Sequence, residues 1–227
     1  MAKVKPYATP LRIFHITAIR NLASIAERGA LYAKAVLATK GLEYGNIAYQ
    51  EAQGKRATKL VEKPPGQTLH HYVPFYFAPR SPMLRTIEGG NVEGCPYRQR
   101  DIAHLESTVE AVTSNGLHYV FYDYNATLDI ATCYSDIKDL DRIDWPLFYE
   151  PPRLDGYCKY WFSTMSEPRH VLRQETRQAE FLVHRKFPLE LITTVGVYDG
   201  EKRTEVRQIF EQFGVELPVE VKREWYF

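Results

Sequence analysis

The segment RQAEFLVHRKF, residues 177–187, reads as a core strand that carries a carboxylate, Glu180, among apolar neighbours. Burying a carboxylate is unfavourable unless the group is paired or has a function. Because alternate side chains of a strand point to opposite faces, Glu180 shares a face with Leu182 and lies opposite Phe181. Glu180 is therefore either a functional carboxylate or an edge-strand residue that faces solvent, and the segment alone leaves both open.

Around this segment, short strands and helices follow one another irregularly. Apolar and aromatic runs predict strands over residues 11–17, 70–79, 117–125, 193–200 and 219–227. Apolar spacing predicts helices over residues 19–29, ended by Gly29, over residues 101–114, and after the turn Asp199–Gly200. Since there is neither an even βαβ rhythm nor a GxGxxG motif, this order predicts one α+β domain over residues 1–227.

The helix predicted over residues 101–114 depends on a cap and a stripe. Asp101 is a suitable N-cap, and the turn signal Ser114-Asn115-Gly116 ends the segment. The apolar stripe consists of Ile102, Leu105, Val109 and Val112. Residues 33–68 show little pattern beyond a possible helix over 47–63, and such a long segment is more often a functional loop than part of a core. Residues 126–170, rich in Pro, Tyr, Trp and charge, are predicted to form a structured loop with short helices.

Charge and composition exclude several classes of protein. The net charge of +1 supplies no global basic field, which argues against high-affinity duplex binding and leaves only local patches for a nucleic acid. Three dispersed cysteines, and the adjacent pair His70 and His71 on opposite faces of a strand, indicate neither a disulfide framework nor a metal site. Without an apolar run of about 20 residues or a signal sequence, the chain is expected to be cytoplasmic, with no membrane contact.

His15 and Thr17 are the first candidate binding residues. They are two positions apart in the predicted strand 11–17, so both point to the same face. An imidazole and a hydroxyl on one face can hold a polar ligand by hydrogen bonds. The ordinary alternative, a buried histidine at the end of a strand with a partner nearby, is the more common one for an isolated pair.

The stretch PRSPMLR, residues 79–85, follows an aromatic strand and contains two arginines. We expect a rigid exposed loop in which the arginines hold phosphates and the apolar tips wedge between bases. The residues concerned are Arg80, Ser81, Pro82, Met83, Leu84 and Arg85. A solvated turn is the alternative. Arg56, in the stretch GKRATKL, has no distinguishing local feature.

Taken together, these stretches resemble the DarT family of DNA ADP-ribosyltransferases. The matching stretches occur in family order: FHIT and NLASIAERGALYA (residues 14–33), GKRATKLV, HHYVPFYFAPRSPML (70–84), YDYNA (122–126), IDWPLF (143–148) and RQAEFLVHRKFPLEL (177–191). The resemblance implies an ADP-ribosyltransferase fold, in which split mixed β-sheets with flanking helices surround an NAD cleft. It implies NAD as co-substrate, single-stranded DNA as acceptor, and a toxin whose modification a cognate macrodomain antitoxin removes.

Residue roles follow from this resemblance by matching position. The NAD-binding set is His15, Ile16, Thr17, Ser24, Tyr32, Arg56 and Tyr76, with Tyr76 expected to stack on nicotinamide. Arg56 and Glu180 match the catalytic arginine and glutamate, and residues 80–85 match the DNA-contacting loop. The segment from about Ser135 to Glu180 matches the loop that recognises the substrate. It is longer than the family pattern between Asp144 and Arg177.

The chemistry of the reaction agrees with most of these assignments. Breaking an N-glycosidic bond builds positive charge on the ribose, which the Glu180 carboxylate can stabilise while it holds a ribose hydroxyl. Attack by a ring nitrogen of the base also requires loss of its proton. The family assigns Arg56 a part in that step, but arginine stays protonated in proteins. We therefore interpret Arg56 as a cation that binds an NAD phosphate and stabilises the base as it loses its proton.

Several alternatives remain open at this point. The acceptor base is thymine in the best-known branch of the family and guanine in another, and protein or RNA acceptors are possible for the same fold. A non-catalytic nucleic-acid-binding module is a further alternative, which the joint presence of His15, Arg56, Tyr76 and Glu180 disfavours. The run Lys159-Tyr160-Trp161-Phe162, with Arg153 and Arg169, would suit stacked single-stranded bases or simple loop packing.

Overall fold

The computed structural model describes residues 5–42, 45, 47 and 50–227. Its strands are β1 (Arg12–Ala18), β2 (Ala30–Tyr32), β3 (Tyr72–Tyr76), β4 (Ile102–Thr108), β5 (Tyr119–Tyr122), β6 (Cys133–Tyr134), β7 (Arg153–Leu154), β8 (Tyr157–Cys158), β9 (Glu180–His184), β10 (Lys186–Pro188), β11 (Thr194–Val197) and β12 (Val219–Val221). Its α-helices are α1 (Leu22–Arg28), α2 (Lys34–Thr39), α3 (Gln50–Thr58), α4 (Pro82–Glu88), α5 (Val109–Ser114), α6 (Pro146–Tyr149), α7 (Arg173–Thr176) and α8 (Gly200–Gln212).

The main sheet has the strand order β12-β11-β4-β1-β3-β9-β5-β6, with β2 and β10 forming one separate pair and β7 and β8 another. Neighbouring strands of the main sheet are antiparallel except β11 and β12, which are parallel, so the sheet is mixed. Strands that are distant in sequence lie side by side, and the central ones are covered by core residues on both faces.

The main sheet is split between β1 and β3. Among the described residues, these two strands share one register pair, Phe14 with Tyr76. By contrast, β1 pairs with β4 at seven positions and β3 pairs with β9 at five. The half-sheets β12-β11-β4-β1 and β3-β9-β5-β6 are therefore joined at this one register pair. They diverge away from it, and the space between them is a cleft. The observed architecture confirms the α+β prediction of split mixed sheets.

The first strand and helix form as the sequence predicts. In β1 the side chains Ile13, Phe14 and Ile16 are buried, because the strand lies inside the sheet. A 3₁₀ turn over 19–21 leads into α1, and Gly29 ends the helix with φ 62°, a left-handed conformation that glycine adopts without strain. The turn between β1 and α1 brings the end of the strand and the first helical turn to the same wall of the cleft.

The helix predicted over residues 101–114 is wrong for its first half. Residues 102–108 form β4, which pairs with both β1 and β11, and only Val109–Ser114 is helical. Thr108, not Asp101, caps that helix, because its side-chain oxygen accepts a 3.0 Å bond from the amide of Ala111. Since β4 is buried on both faces, its apolar residues do not alternate, and their spacing imitates a helical stripe.

Each polar side chain buried on β4 has a partner. Glu106 pairs with Arg12, and the Ser107 hydroxyl donates to the carbonyl of Leu191 at 2.6 Å. The His104 ring Nε2 lies 3.0 Å from the carbonyl of Pro79, and burial lowers the pKa of this histidine to about 4, so the ring is neutral. These partnerships offset the cost of burying the polar groups on a central strand.

Other departures are local. His70 and His71 lie in a 3₁₀ turn rather than on a strand, so the strand-face argument made for them does not apply. The strand predicted over 177–187 breaks at Arg185, where φ is 66°, into β9 and β10. The final predicted strand reaches only Val221 and is followed by a 3₁₀ turn. The helix after Asp199 is confirmed as α8, with the Asp199 carboxylate accepting from the amide of Lys202 at 3.0 Å.

Candidate active site

The cleft between the two half-sheets contains every residue predicted to be catalytic or to bind the co-substrate. Its walls are built from β1, α1, β2, α3, β3 and β9. The predicted residues that line it are His15, Ile16, Thr17, Ser24, Tyr32, Arg56, Tyr76 and Glu180. The structure thus brings together side chains from six elements that are separate in sequence, while the role of each remains a prediction.

Glu180 lies at the start of β9, between β3 and β5, so it is not on an edge strand. Its register partners are Tyr76 on one side and Tyr122 on the other. The side chain is 1% exposed and lines the cleft, and its Oε1 lies 3.4 Å from the amide nitrogen of Ala126. The alternative of a solvent-facing edge residue is therefore wrong, and Glu180 is a buried carboxylate at the base of a cleft.

Arg56 provides the charge partner of Glu180. Its Nη1 donates to both carboxylate oxygens, at 3.1 Å to Oε1 and 2.7 Å to Oε2. Burial disfavours the charged guanidinium, but the adjacent carboxylate outweighs that effect and raises the pKa of Arg56. Arg56 is therefore a fixed cation rather than a base. Its buried Nη2 has no hydrogen-bond partner within the residues described, so one donor remains for a ligand.

Two tyrosines flank this ion pair. Burial, together with the Glu180 carboxylate, raises the pKa of Tyr76, and burial likewise raises the pKa of Tyr122. Both phenols consequently stay neutral and keep their hydroxyl hydrogens. Tyr76 lines the cleft, whereas Tyr122 belongs to the second core cluster and was not predicted as a site residue.

On the opposite wall, His15 is held in one orientation. Its Nδ1 lies 2.8 Å from the carbonyl oxygen of Pro74, which can only accept, so Nδ1 carries the hydrogen and Nε2 is an acceptor. Burial lowers the pKa of His15, which keeps the ring neutral. The hydroxyl of Thr17 accepts from the side-chain amide of Asn21 at 3.0 Å, and that amide also donates to the carbonyl of Gly45 at 2.9 Å.

The cleft also contains two cations that sequence reasoning missed, Arg28 and Lys34. Arg28 donates to the hydroxyl of Ser24, and Lys34 donates to the side-chain oxygen of Gln53 at 2.8 Å. Partial burial lowers the pKa of Lys34. Across the described ranges, neither cation has a carboxylate partner. One basic residue near the end of a helix and one after a strand are ordinary in sequence, so no local signal distinguished them.

The expected exposed loop over residues 80–85 is wrong. Ser81 is the N-cap of α4, and its hydroxyl accepts from the amide of Leu84 at 3.2 Å, so Ser81, Pro82 and Leu84 are buried and cannot wedge between bases. Arg80 donates from Nε to the carbonyl of Tyr226 at 2.9 Å. Met83 lines the cleft, Arg85 is exposed and Arg80 is half-buried, so these three side chains keep surface that a DNA strand could contact.

Arg177 connects the segment that matches the family's substrate-recognition loop to the strand of Glu180. The side chain is fully buried, and its Nη1 donates to the carbonyls of Cys158 at 3.0 Å and Tyr160 at 3.1 Å. The guanidinium carbon lies 5.2 Å from the centroid of the Phe148 ring. Burial without a carboxylate lowers the pKa of Arg177 to about 10. Through these contacts of Arg177, residues 148 to 160 are held close to the chain three residues before Glu180.

In the part of the chain that the structure describes, no group of three or more histidine, cysteine, aspartate or glutamate side chains is arranged to hold a metal ion. Over the same residues, no helix has the length and apolar character needed to cross a bilayer.

Comparisons with known proteins place this geometry among DNA-modifying enzymes. Residues 14–227 match the family described as "ssDNA thymidine ADP-ribosyltransferase, DarT". A DNA ADP-ribosyl transferase from Thermus sp. (strain 2.9) is 37% identical, over 98% of this chain and 99% of that protein.

Solved structures of a Thermus sp. 2.9 protein give the same result. DarT in complex with ADP-ribosylated single-stranded DNA superposes with a TM-score of 0.85 at 35% identity, over 99% of this chain and 100% of that one. DarT in complex with NAD⁺ superposes with a TM-score of 0.80 at 34% identity, over 97% of this chain and 100% of that one. The expected fold class is confirmed by this agreement.

Proposed function

The chain belongs to the DarT family of single-stranded-DNA thymidine ADP-ribosyltransferases, and on that premise we propose that the cleft binds NAD and that Glu180 and Arg56 carry out the transfer. The overall reaction moves ADP-ribose from NAD to a thymine base of single-stranded DNA and releases nicotinamide. The observation that supports the residue assignment is the buried ion pair of Glu180 and Arg56 at the base of the cleft.

The proposed chemistry divides between the two charged groups. As the bond from ribose to nicotinamide breaks, the ribose gains oxocarbenium character, and the Glu180 carboxylate stabilises that charge from a site that excludes bulk water. The attacking ring nitrogen of thymine forms the new bond to the ribose carbon and loses its proton. Glu180 accepts that proton, and the Arg56 guanidinium stabilises the negative charge that develops on the base.

The NAD molecule carries two phosphate charges, which need cations that are not already compensated. Arg56 is neutralised by Glu180, so Arg28 and Lys34 are the suitable groups among the described residues of the cleft. We expect both to contact the diphosphate. His15 and Thr17 then hold a more distant part of the co-substrate on β1.

Removing the cation of Arg28 tests this orientation of NAD. We expect Arg28→Ala to weaken NAD binding about tenfold, the effect of losing one charge-assisted hydrogen bond. Calorimetry should show the same loss for ADP-ribose and none for nicotinamide riboside, which has no phosphate. Arg20→Ala is the matched control, because Arg20 is exposed and contacts Tyr97 outside the cleft. Equal weakening of all three ligands would contradict the assignment.

The acceptor is expected to be unpaired DNA. The reacting nitrogen of thymine lies on its Watson–Crick edge, so a duplex must flip the base out at a cost of a few kcal/mol. A net charge of +1 releases few counterions and cannot offset that cost. With labelled NAD, annealing the complementary strand should suppress modification of an oligonucleotide at least about tenfold. Equal labelling of the single strand and its duplex would contradict this reading.

The choice of acceptor is tested by the same assay with defined pools. Separate incubations with protein, RNA and single-stranded DNA should label only the DNA, and replacing thymine in an oligonucleotide with other bases should abolish labelling. If labelling depended on guanine instead, the enzyme would be assigned to the guanine-modifying branch of the family. We further propose that the enzyme acts as a toxin and that a macrodomain partner removes the ADP-ribose from the base.

A further inference from the structure

A second pocket lies outside the cleft, in the segment that precedes the catalytic strand. It has a volume of about 490 Å³, within the range of small-ligand pockets. Its walls come from the chain between Glu150 and Arg173, and two of its side chains are the aromatic residues Tyr160 and Phe162. The sequence singled out this run as suited to stacked bases or loop packing.

The two aromatic walls are not packed away. Tyr160 is 40% exposed and Phe162 is 43% exposed, and their ring centroids are 5.8 Å apart with planes inclined at 68°. Aromatic faces that remain exposed in this way are available to stack on a ligand. Flat faces set at an angle can stack against one planar ring and contact its edge. The walls are therefore shaped for a planar, partly apolar group.

The polar part of the pocket is electrically balanced. Glu150 is held by the buried Arg173, by Arg169 at 2.9 Å and by the His170 ring at 3.3 Å. Arg169 also contacts Glu167 at 3.1 Å. With two carboxylates and two guanidinium groups, the lining has no excess positive charge to attract a phosphate, so a neutral ligand with hydrogen-bonding edges fits better.

Hydroxyl groups supply the remaining hydrogen-bonding capacity. The side-chain oxygens of Thr164 and Ser166 lie 2.7 Å apart on the same pocket, and a hydroxyl can both donate and accept. Such groups match the mixed donors and acceptors on the edge of a nucleobase. Aromatic walls, cancelled charge and amphoteric hydroxyls together describe a base-sized site rather than an anion site.

The pocket lies a short distance along the backbone from the strand that carries Glu180. Arg173, one of its lining residues, begins α7, and the chain from Arg173 to Glu180 is four helical residues followed by a short connection. From helical and extended rises per residue, the two Cα atoms are less than about 20 Å apart. Arg177 within this stretch holds the carbonyl of Tyr160 at 3.1 Å. A strand of a few nucleotides can therefore reach both places.

We propose that this pocket, the flanking-base pocket, binds one unpaired base of the same DNA strand that presents thymine to Glu180. Stacking on Tyr160 and Phe162 supplies affinity, and the hydroxyl and charged edges supply preference for one base. The exposed Lys159, next in sequence, is placed to meet a neighbouring phosphate. The proposal rests on DNA being the acceptor, and it assigns part of the sequence preference to residues outside the NAD cleft.

The test combines a variant with a modified strand. We expect Phe162→Ala to lower the efficiency of DNA modification, kcat/KM for the oligonucleotide, about tenfold, since base–aromatic stacking has an effect of that order. Removing single bases along the strand should cost the wild-type enzyme a similar factor at one flanking position. At that position the loss in Phe162→Ala should be much smaller than in wild type, because two changes to one contact are not additive.

Matched variants separate this contact from general damage. Phe213→Ala removes a phenylalanine of similar exposure, 39%, at the end of α8, where it lines neither the cleft nor the pocket, so it should modify DNA like wild type. Phe162→Tyr keeps the ring and should restore most of the efficiency. Thermal melting and the Kd for NAD, measured on each variant, identify any loss of folding, and Tyr160→Ala then provides an independent removal of a wall.

Three outcomes would overturn the proposal. The first is an unchanged kcat/KM in both Phe162→Ala and Tyr160→Ala. The second is that the effects of Phe162→Ala and of removing a base add fully at every flanking position. The third is that the variants lose binding to a macrodomain protein while their use of DNA is unchanged. The last would assign the pocket to a protein partner. Failure of the proposed function itself looks different, because the wild-type enzyme would then leave every oligonucleotide unlabelled while NAD still binds.

Discussion

Replacing Glu180 with glutamine is expected to lower ADP-ribose transfer to DNA about 1,000-fold, the loss seen when one preorganised electrostatic group is removed from a transition state. Glutamine has nearly the same shape, so the packing between β3 and β5 is preserved. The amide has no negative charge to oppose the oxocarbenium and cannot accept the proton of the base. The measurement is the single-turnover rate of labelling of an oligonucleotide under saturating NAD.

A second buried ion pair offers a control for this variant. Glu106 pairs with Arg12 on the other half-sheet and does not line the cleft. Glu106→Gln therefore introduces a comparable loss of buried charge without touching the site, and we expect it to lower the melting temperature but not the single-turnover rate. If Glu180→Gln labelled DNA within about threefold of wild type, Glu180 would not be the catalytic carboxylate.

Replacing Arg56 with alanine is expected to lower the transfer at least about 100-fold. The change leaves the Glu180 carboxylate buried without its cation and removes the charge that stabilises the deprotonated base. Arg56→Lys should recover only part of the rate, because an ammonium keeps the positive charge but lacks the second terminal nitrogen, Nη2, which is the donor left for a ligand. Thr58→Ala, on the exposed side of the same helix, should behave like wild type, because the Thr58 hydroxyl donates to backbone carbonyls of that helix.

The pH dependence of Arg56→Ala distinguishes a role in chemistry from a role in folding. If Arg56 stabilises the base as it loses its proton, the deficit should shrink as the pH rises, because a growing fraction of the free base is already deprotonated. A variant that is merely misfolded would show the same fractional deficit at every pH. A constant deficit would therefore remove Arg56 from the proton step and leave it as the partner that positions Glu180.

The sequence predicted the cleft best where a polar residue interrupts an apolar strand. Glu180, His15 and Thr17 attract attention because a polar group in such a strand is costly without a purpose. Arg56 offers no such signal, since it lies on a polar helix and its partner Glu180 is 124 residues away. Only the resemblance to a known family identified it, because residue-by-residue patterns do not contain long-range pairing.

The errors in the predicted fold have a common physical cause. The apolar spacing of β4 predicts a helix, because a strand buried on both faces loses the alternation that identifies strands. Its polar residues, such as His104 and Glu106, find partners elsewhere in the chain. The prediction of an exposed loop at Ser81 fails for a related reason. The burial of this serine depends on α4 packing against the core, which the local string of proline and arginine does not reveal.

Because the two half-sheets are joined at one register pair in the described residues, a co-substrate that contacts both of them stabilises the folded protein. His15 and Thr17 belong to one half, and Tyr76 and Glu180 belong to the other, so a molecule that contacts all four spans a seam at which the strands share only the pair Phe14 and Tyr76 in the described residues. Any ligand that binds only the folded state adds to the free energy of unfolding, about 2.7 kcal/mol at a hundred times its Kd. The resistance of this enzyme to heat and proteolysis would then follow the concentration of NAD around it.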